Sequence, residues 1–98
     1  MKAVQISKTG GPEVLKYVDV PDPRPGPGQA LVEIKAVGVN YTEVYTRSGL
    51  YPPALPVIPG GEAAGVVAQV GSGVTEVAVG DLVAYTGGSQ SYAEKAVV

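Results

Sequence analysis

Residues 30–48 read Ala30-Leu31-Val32-Glu33-Ile34-Lys35-Ala36-Val37-Gly38-Val39-Asn40-Tyr41-Thr42-Glu43-Val44-Tyr45-Thr46-Arg47-Ser48, and their periodicity changes halfway along. From Ala30 to Val39 the charged Glu33 and Lys35 alternate with Val32, Ile34 and Ala36, the period of a strand with one wet face and one core face. From Asn40 to Ser48 the alternation stops. Asn40 suits a helix N-cap, Glu43 three residues on suggests a variant capping box, and Gly49 fits the position just past a helix end. Glu43 and Arg47 stand at i,i+4, which predicts an ion pair on a solvated helix face. One long strand running into one short helix, about 41–48, is the segment around which the other elements must be arranged.

On the N-terminal side, Ala3 to Ser7 alternates and then meets the turn signal Gly10-Gly11-Pro12. Leu15 to Val20 reads as a second strand, paired with the first as a hairpin. The stretch from Pro21 to Gly28 holds Pro21, Pro23, Pro25 and Pro27, which cannot supply ladder donors and make a stiff, exposed connection. On the C-terminal side, Leu50 to Gly61 carries Pro52, Pro53, Pro56 and Pro59 and reads as an irregular loop. Strands are then expected at Gly65–Val70, Val74–Val77, Leu82–Thr86 and Tyr92–Val98, parted by Gly71-Ser72-Gly73 and Gly80-Asp81. Short strands at about 8–12-residue spacing predict a mainly β barrel or sandwich.

Composition narrows the chemistry. With 98 residues the chain holds one domain, and 14 Gly plus 9 Pro exclude a helical bundle. A net charge of -2 gives no electrostatic footprint for nucleic acid or an anionic membrane. No run approaches the roughly 18 apolar residues of a membrane span, and the first residues read as strand rather than leader, so a cytoplasmic location is expected. His and Cys are both absent, which removes disulfides, a thiolate nucleophile, an imidazole base and any zinc site of the usual N/S kind. Gly71-Ser72-Gly73-Val74-Thr75-Glu76 begins like a dinucleotide-binding fingerprint, but Glu76 takes the third glycine's place and no helix pattern follows. Its glycines read as turn residues.

Several ordered motifs carry a resemblance. Gly10-Gly11-Pro12-Glu13-Val14-Leu15, Val37-Gly38-Val39-Asn40-Tyr41, and Tyr45-Thr46-Arg47-Ser48-Gly49-Leu50-Tyr51-Pro52 are similar to stretches of quinone oxidoreductases in the medium-chain dehydrogenase/reductase superfamily. So are Pro59-Gly60-Gly61-Glu62-Ala63-Ala64-Gly65-Val66-Val67, Val79-Gly80-Asp81 and Tyr92-Ala93-Glu94. The resemblance implies a GroES-like irregular, mostly antiparallel β-barrel with one short helix, spanning residues 1–98. In the family a Rossmann domain that binds NADPH follows this barrel, and that domain is expected to be absent here. The chain alone is then expected to bind no cofactor and to show no turnover.

The same resemblance places Asn40, Tyr41, Thr42, Tyr45 and Tyr51 along the cleft for nicotinamide and quinone, and gives Gly60, Glu62, Gly65, Gly80 and Asp81 structural roles. Zinc-dependent members carry Cys where Asn40 stands and His where Gly61 precedes Glu62, so the resemblance is to the zinc-free branch, with no metal. Hydride transfer from a nicotinamide to a quinone needs an oriented acceptor and neutral donors rather than a nucleophile, and no residue stands out as one. The amide of Asn40 and the phenols of Tyr45 and Tyr51 are such donors. Plainer roles exist for each. Asn40 could serve only as an N-cap, Tyr41 and Tyr45 at i,i+4 could pack in the core, and Tyr51 could cover its loop. Glu62 could accept backbone donors in its Gly-rich turn. Tyr41 stands where the family commonly has Phe, and Gly61 where a side chain is usual. With Phe and Trp also missing from the chain, the alternative is an engineered or reconstructed free-standing barrel scaffold with no catalytic role. In either case the surface left by the missing domain predicts an apolar patch prone to self-association.

Overall fold

A computed structural model describes all 98 residues. Its elements are β1 (Lys2–Gln5), a 3-10 turn (Pro12–Val14), β2 (Lys16–Asp19), β3 (Ala30–Gly38), α1 (Tyr41–Ser48), β4 (Glu62–Val70), β5 (Leu82–Tyr85) and β6 (Lys95–Val97). β1 and β2 form the expected antiparallel hairpin, with Lys2 opposite Asp19 and Gln5 opposite Lys16. The other four strands form a second antiparallel sheet in the order β5-β4-β3-β6. Residues just ahead of β6 join the two sheets. Ala3 bridges Ala93, the Val4 N–H donates to the Tyr92 carbonyl at 2.8 Å, and the Glu94 N–H donates to the Lys2 carbonyl at 3.1 Å. The hydrogen-bonded path therefore runs β2, β1, residues 92–97, β3, β4, β5. It is the mainly β, one-helix, irregular antiparallel arrangement that the sequence predicts, but β2 and β5 remain as open ends rather than closing a barrel.

The core lies where these layers meet. Ile6, Val32 and Val67 are almost fully enclosed, with Ala3, Val14, Leu31, Ile58 and Ala96 around them. Ile6 and Val57 exchange a pair of 2.9 Å backbone hydrogen bonds, which ties the proline-rich loop to the end of β1. β3 and β4 approach so closely that a Cβ on Gly65 would run into the Glu33 carbonyl, so only glycine fits that register.

Two expectations about strands are corrected. Val74–Val77 is not a strand. The Gly80 N–H donates to the Val67 carbonyl and the Val67 N–H to the Asp81 carbonyl, so the turn at 78–81 takes that stretch of β4's edge and leaves Val74–Val77 unpartnered. The core face of β3 also ends early. β6 pairs only with Leu31–Glu33, and beyond Ile34 the strand loses its cover, so Ala36 and Val37 are exposed.

α1 has the expected bounds. Asn40 has N-cap backbone geometry (φ -126°, ψ 156°), and Gly49 ends the helix in the left-handed region at φ +92°. The capping box and the Glu43–Arg47 ion pair do not form. The Asn40 side chain makes no capping hydrogen bond, Glu43 is buried, and the Arg47 Nε–H donates to the Gly10 carbonyl at 3.3 Å. The expected face is covered rather than solvated: Asn40, Glu43, Val44 and Arg47 turn towards Leu15, Pro59 and Tyr92, and Arg47 takes the Gly10 carbonyl in place of Glu43.

Candidate functional site

α1 brings three tyrosines together on its outer side. Tyr41 and Tyr45 stand one turn apart with ring centroids at 5.1 Å, edge to face. Beyond the helix the chain turns back, because the Leu50 and Tyr51 N–H groups both donate to the Tyr45 carbonyl. That turn sets the Tyr51 ring 5.5 Å from Tyr45, again edge to face. Tyr45 is half-buried between its neighbours. Tyr41 is 69% exposed and Tyr51 59% exposed, so the expectation of Tyr41 as a core residue fails: its side of the helix faces outwards. The trio forms an open aromatic platform, and none of its members lines an enclosed cavity.

Two cavities flank the inner part of the same helix, and Glu43 and Pro59 border both. One, about 250 Å³, adds Asn40, Arg47 and Tyr92 to an apolar wall of Leu15, Val39 and Val44. The other, about 310 Å³, is more polar and adds Thr42, Thr46, Gly60, Gly61, Ser89 and Gln90. Asn40 and Thr42 are thus neighbours at the start of α1 that open into different cavities. The Tyr92 phenol is pushed above its ordinary pKa, first by burial and then by the negative charge of Glu43. A larger hollow of about 430 Å³ opens where β3 parts from residues 92–94; Val39 and Tyr92 border both it and the 250 Å³ cavity.

The glycines and acidic residues of the sequence motifs have identifiable mechanical roles. Gly60 has φ +106°, and a Cβ there would collide with Ser91 Oγ and come within 2.6 Å of the Tyr92 ring. The Gly60 and Pro59 carbonyls accept the Ser91 and Tyr92 N–H groups, so this turn locks the segment entering β6. Gly61 has open space, its nearest neighbour being the Gly88 carbonyl at 3.6 Å from an added Cβ. Glu62 does not take turn donors. It begins β4 opposite Gly38, and its side chain lies across that glycine. Gly80, at φ +94°, and Asp81, whose Oδ2 accepts the Ala78 N–H at 2.9 Å, shape the turn into β5.

Sequence reasoning overlooked Glu43, Tyr92, Ser89 and Gln90 as parts of the site. The i, i+3, i+4, i+7 spacing of Asn40, Glu43, Val44 and Arg47 defines one helix face, but only tertiary packing covers it. Ser89 and Gln90 reach the site only through tertiary folding. No group of three or more His, Cys, Asp or Glu side chains gathers anywhere in the molecule. No helix is long and apolar enough to cross a membrane.

Residues 26–96 match the profile of the alcohol dehydrogenase GroES-like domain. Over 95 residues the chain is 50% identical to a quinone oxidoreductase of Pseudomonas aeruginosa, covering 95% of this chain and 29% of that protein. The solved structure of Escherichia coli quinone oxidoreductase complexed with NADPH superposes with a TM-score of 0.97 at 41% identity, covering all of this chain and 31% of that one. A Pseudomonas syringae quinone oxidoreductase superposes with a TM-score of 0.94 at 52% identity, over 99% of this chain and 30% of that one. The chain thus spans about three tenths of the length of the relatives it matches.

Proposed function

The chain belongs to the alcohol dehydrogenase GroES-like domain family, and from that footing we propose that it is the substrate-side domain of an NADPH-dependent quinone oxidoreductase. The observation that carries this reading is the arrangement on α1. A single eight-residue helix presents an aromatic platform on one side and donor-lined cavities on the other. A planar, electron-poor ring needs a stacking face and neutral donors at its carbonyl oxygens, and the rings and phenols of Tyr45 and Tyr51 offer both.

NADPH is tested by the same geometry. Asn40 is exposed at the start of α1 and its amide suits a carboxamide-bearing ring, so the nicotinamide end has a partner here. The pyrophosphate has none: after Gly71-Ser72-Gly73 the chain forms a loop where a dinucleotide site would begin a helix. The rest of the cofactor must be held by polypeptide outside these residues, as the three-tenths match to NADPH-bound relatives supports. NADPH when bound supplies the hydride; this chain's residues orient the acceptor and shield it from water. By itself the chain does not reduce quinones.

The test is a chimera in which this chain replaces the matched segment of the Escherichia coli enzyme. NADPH-dependent quinone reduction by the chimera is the expected result. A folded chimera that binds NADPH yet leaves quinones unreduced overturns the proposal. A free-standing, non-catalytic scaffold is the competing reading, and the same result would favour it. Exposed Leu50, Val79 and Leu82 also support the proposal that the isolated chain self-associates.

A further inference from the structure

β5 ends the larger sheet, and the turn before it fixes which of its backbone groups are left open. The Gly80 N–H donates to the Val67 carbonyl at 2.8 Å, and the Val67 N–H donates to the Asp81 carbonyl at 2.9 Å. With Gly80 at φ +94°, these two bonds make a glycine bulge that sets the phase of the ladder after it. Along β4 every second residue from Val67 bonds in this direction, so Gly65 bonds to Val83 and Ala63 to Tyr85. Leu82 and Ala84 therefore turn their N–H and C=O groups away from β4, where no backbone group of the chain meets them.

The two open ends of the fold are guarded differently. β2 carries Lys16 and Asp19, and charged residues discourage a further strand from pairing. β5 reads Leu82-Val83-Ala84-Tyr85, with no charge and no proline, and its Leu82 and Ala84 side chains share one exposed face.

This edge is complementary to itself. In an antiparallel pair of β5 strands, outward-facing residues stand opposite outward-facing residues. Only one register satisfies both Leu82 and Ala84 within the extended residues: Leu82 opposite Ala84 of a second copy, and Val83 opposite Val83 on a two-fold axis. A shift one way calls on Gly80, whose N–H is already engaged by Val67. A shift the other way calls on Thr86, where the strand has ended. The favoured register sets each large Leu82 beside a small Ala84 and keeps the two Asp81 residues about 14 Å apart along the strands.

We propose that two copies of this domain join edge to edge through β5, with the two-fold axis at Val83, so that their four-stranded sheets become one. This rests on the self-association given above and gives it an interface. No β5 residue lines the cavities beside α1, so it stands apart from the quinone reading. Four residues on each side bury far less than a stable dimer needs, and the association is weak and concentration-dependent.

The chain has no cysteine, so one introduced thiol reports one position. Val83 meets its own copy in a non-hydrogen-bonded pair, where Cα atoms lie about 4.5 Å apart and a disulfide fits. Ala84 is the more exposed of the two, but it stands diagonal to its copy, roughly 7–8 Å away and too far to bridge. With oxidised glutathione accepting the electrons, concentrated Val83→Cys is expected to form linked dimer roughly tenfold faster than Ala84→Cys. Random collision would favour the more exposed thiol instead. Should Val83→Cys fail to fold, the wild-type chain decides: the Leu82 and Ala84 amides are expected to exchange with solvent severalfold more slowly in concentrated than in dilute solution. Linking of Ala84→Cys as fast as Val83→Cys, or unchanged exchange at Leu82 and Ala84 in a chain that does associate, overturns the β5 interface and leaves self-association standing. A strict monomer at high concentration overturns both.

Discussion

Tyr45 and Tyr51 meet edge to face with their ring centroids 5.5 Å apart, and the Tyr51 N–H donates to the Tyr45 carbonyl at 3.3 Å. Ring and backbone contacts together fix the segment that leaves α1. In the chimera, Tyr51→Phe keeps the packing and removes one neutral donor, so kcat/KM for quinone is expected to fall about two- to tenfold with little change in melting temperature. Tyr45→Ala removes the ring that both neighbours lean on, and both activity and melting temperature should drop. Steady-state kinetics alongside thermal unfolding separate the two outcomes.

Gly60 is a place where the backbone leaves no alternative. Its φ of +106° and the proximity of Ser91 and Tyr92 mean that Gly60→Ala adds backbone strain to a steric collision. A loss of about 2–4 kcal/mol is expected. Urea unfolding of the isolated domain would show it as a lower midpoint with an unchanged slope.

Acid should reveal the anchor at the N-terminus. Lys95 donates to Asp22, as does the Met1 ammonium at 3.0 Å, and these bonds hold the Asp22 carboxyl below the usual range. A carboxyl whose folded pKa is depressed contributes stability above its unfolded pKa and loses it as pH falls through the folded one. Stability should therefore decline below about pH 4, and Asp22→Asn should flatten that decline. Lys95, raised by the same bond, keeps its contribution until pH rises past the ordinary lysine range. The Asp22 side chain is half exposed to solvent, so added salt should shrink the effect. Chemical unfolding across pH 2–7 at two salt concentrations tests both statements.

The outer strand β5 is the expected site of self-association. Leu82 is 81% exposed on a strand whose far edge has no partner in the sheet. Sedimentation velocity should show concentration-dependent association that Leu82→Lys weakens. A strict monomer at high concentration would refute the idea.

The sequence reveals the elements more readily than their surroundings. β3 and α1 were legible because a change from period two to helical spacing at Asn40 is a local event, as is the Gly49 stop. Val74–Val77 looked like a strand by composition alone; whether it pairs depends on what takes the edge of β4, a question of three dimensions. Glu43 shows the limit most clearly. A charged residue in a first helical turn is ordinarily solvated, and only the packing of Leu15, Pro59 and Tyr92 over that face enclosed it. Asn40, Thr42 and the tyrosines could be named in advance because they fall in one contiguous segment. The partners that turn that segment into a site, Ser89, Gln90 and Tyr92, lie some forty to fifty residues further along the chain.

The stitch between Lys2 and Glu94 also dictates the order of events during synthesis. The Lys2 N–H reaches a carboxylate 92 positions later, and the neighbouring backbone bonds are equally distant. The β1–β2 hairpin can form early from local contacts and gain an anchor at Val57, but its stitch to the four-stranded sheet waits for residues 92–94. Until then the β6-facing edge of β3 stays unsatisfied, a template for any passing strand. Such long-range closure makes for slow folding. A chain interrupted before Tyr92 should lose β6 and, with it, the join between the two sheets.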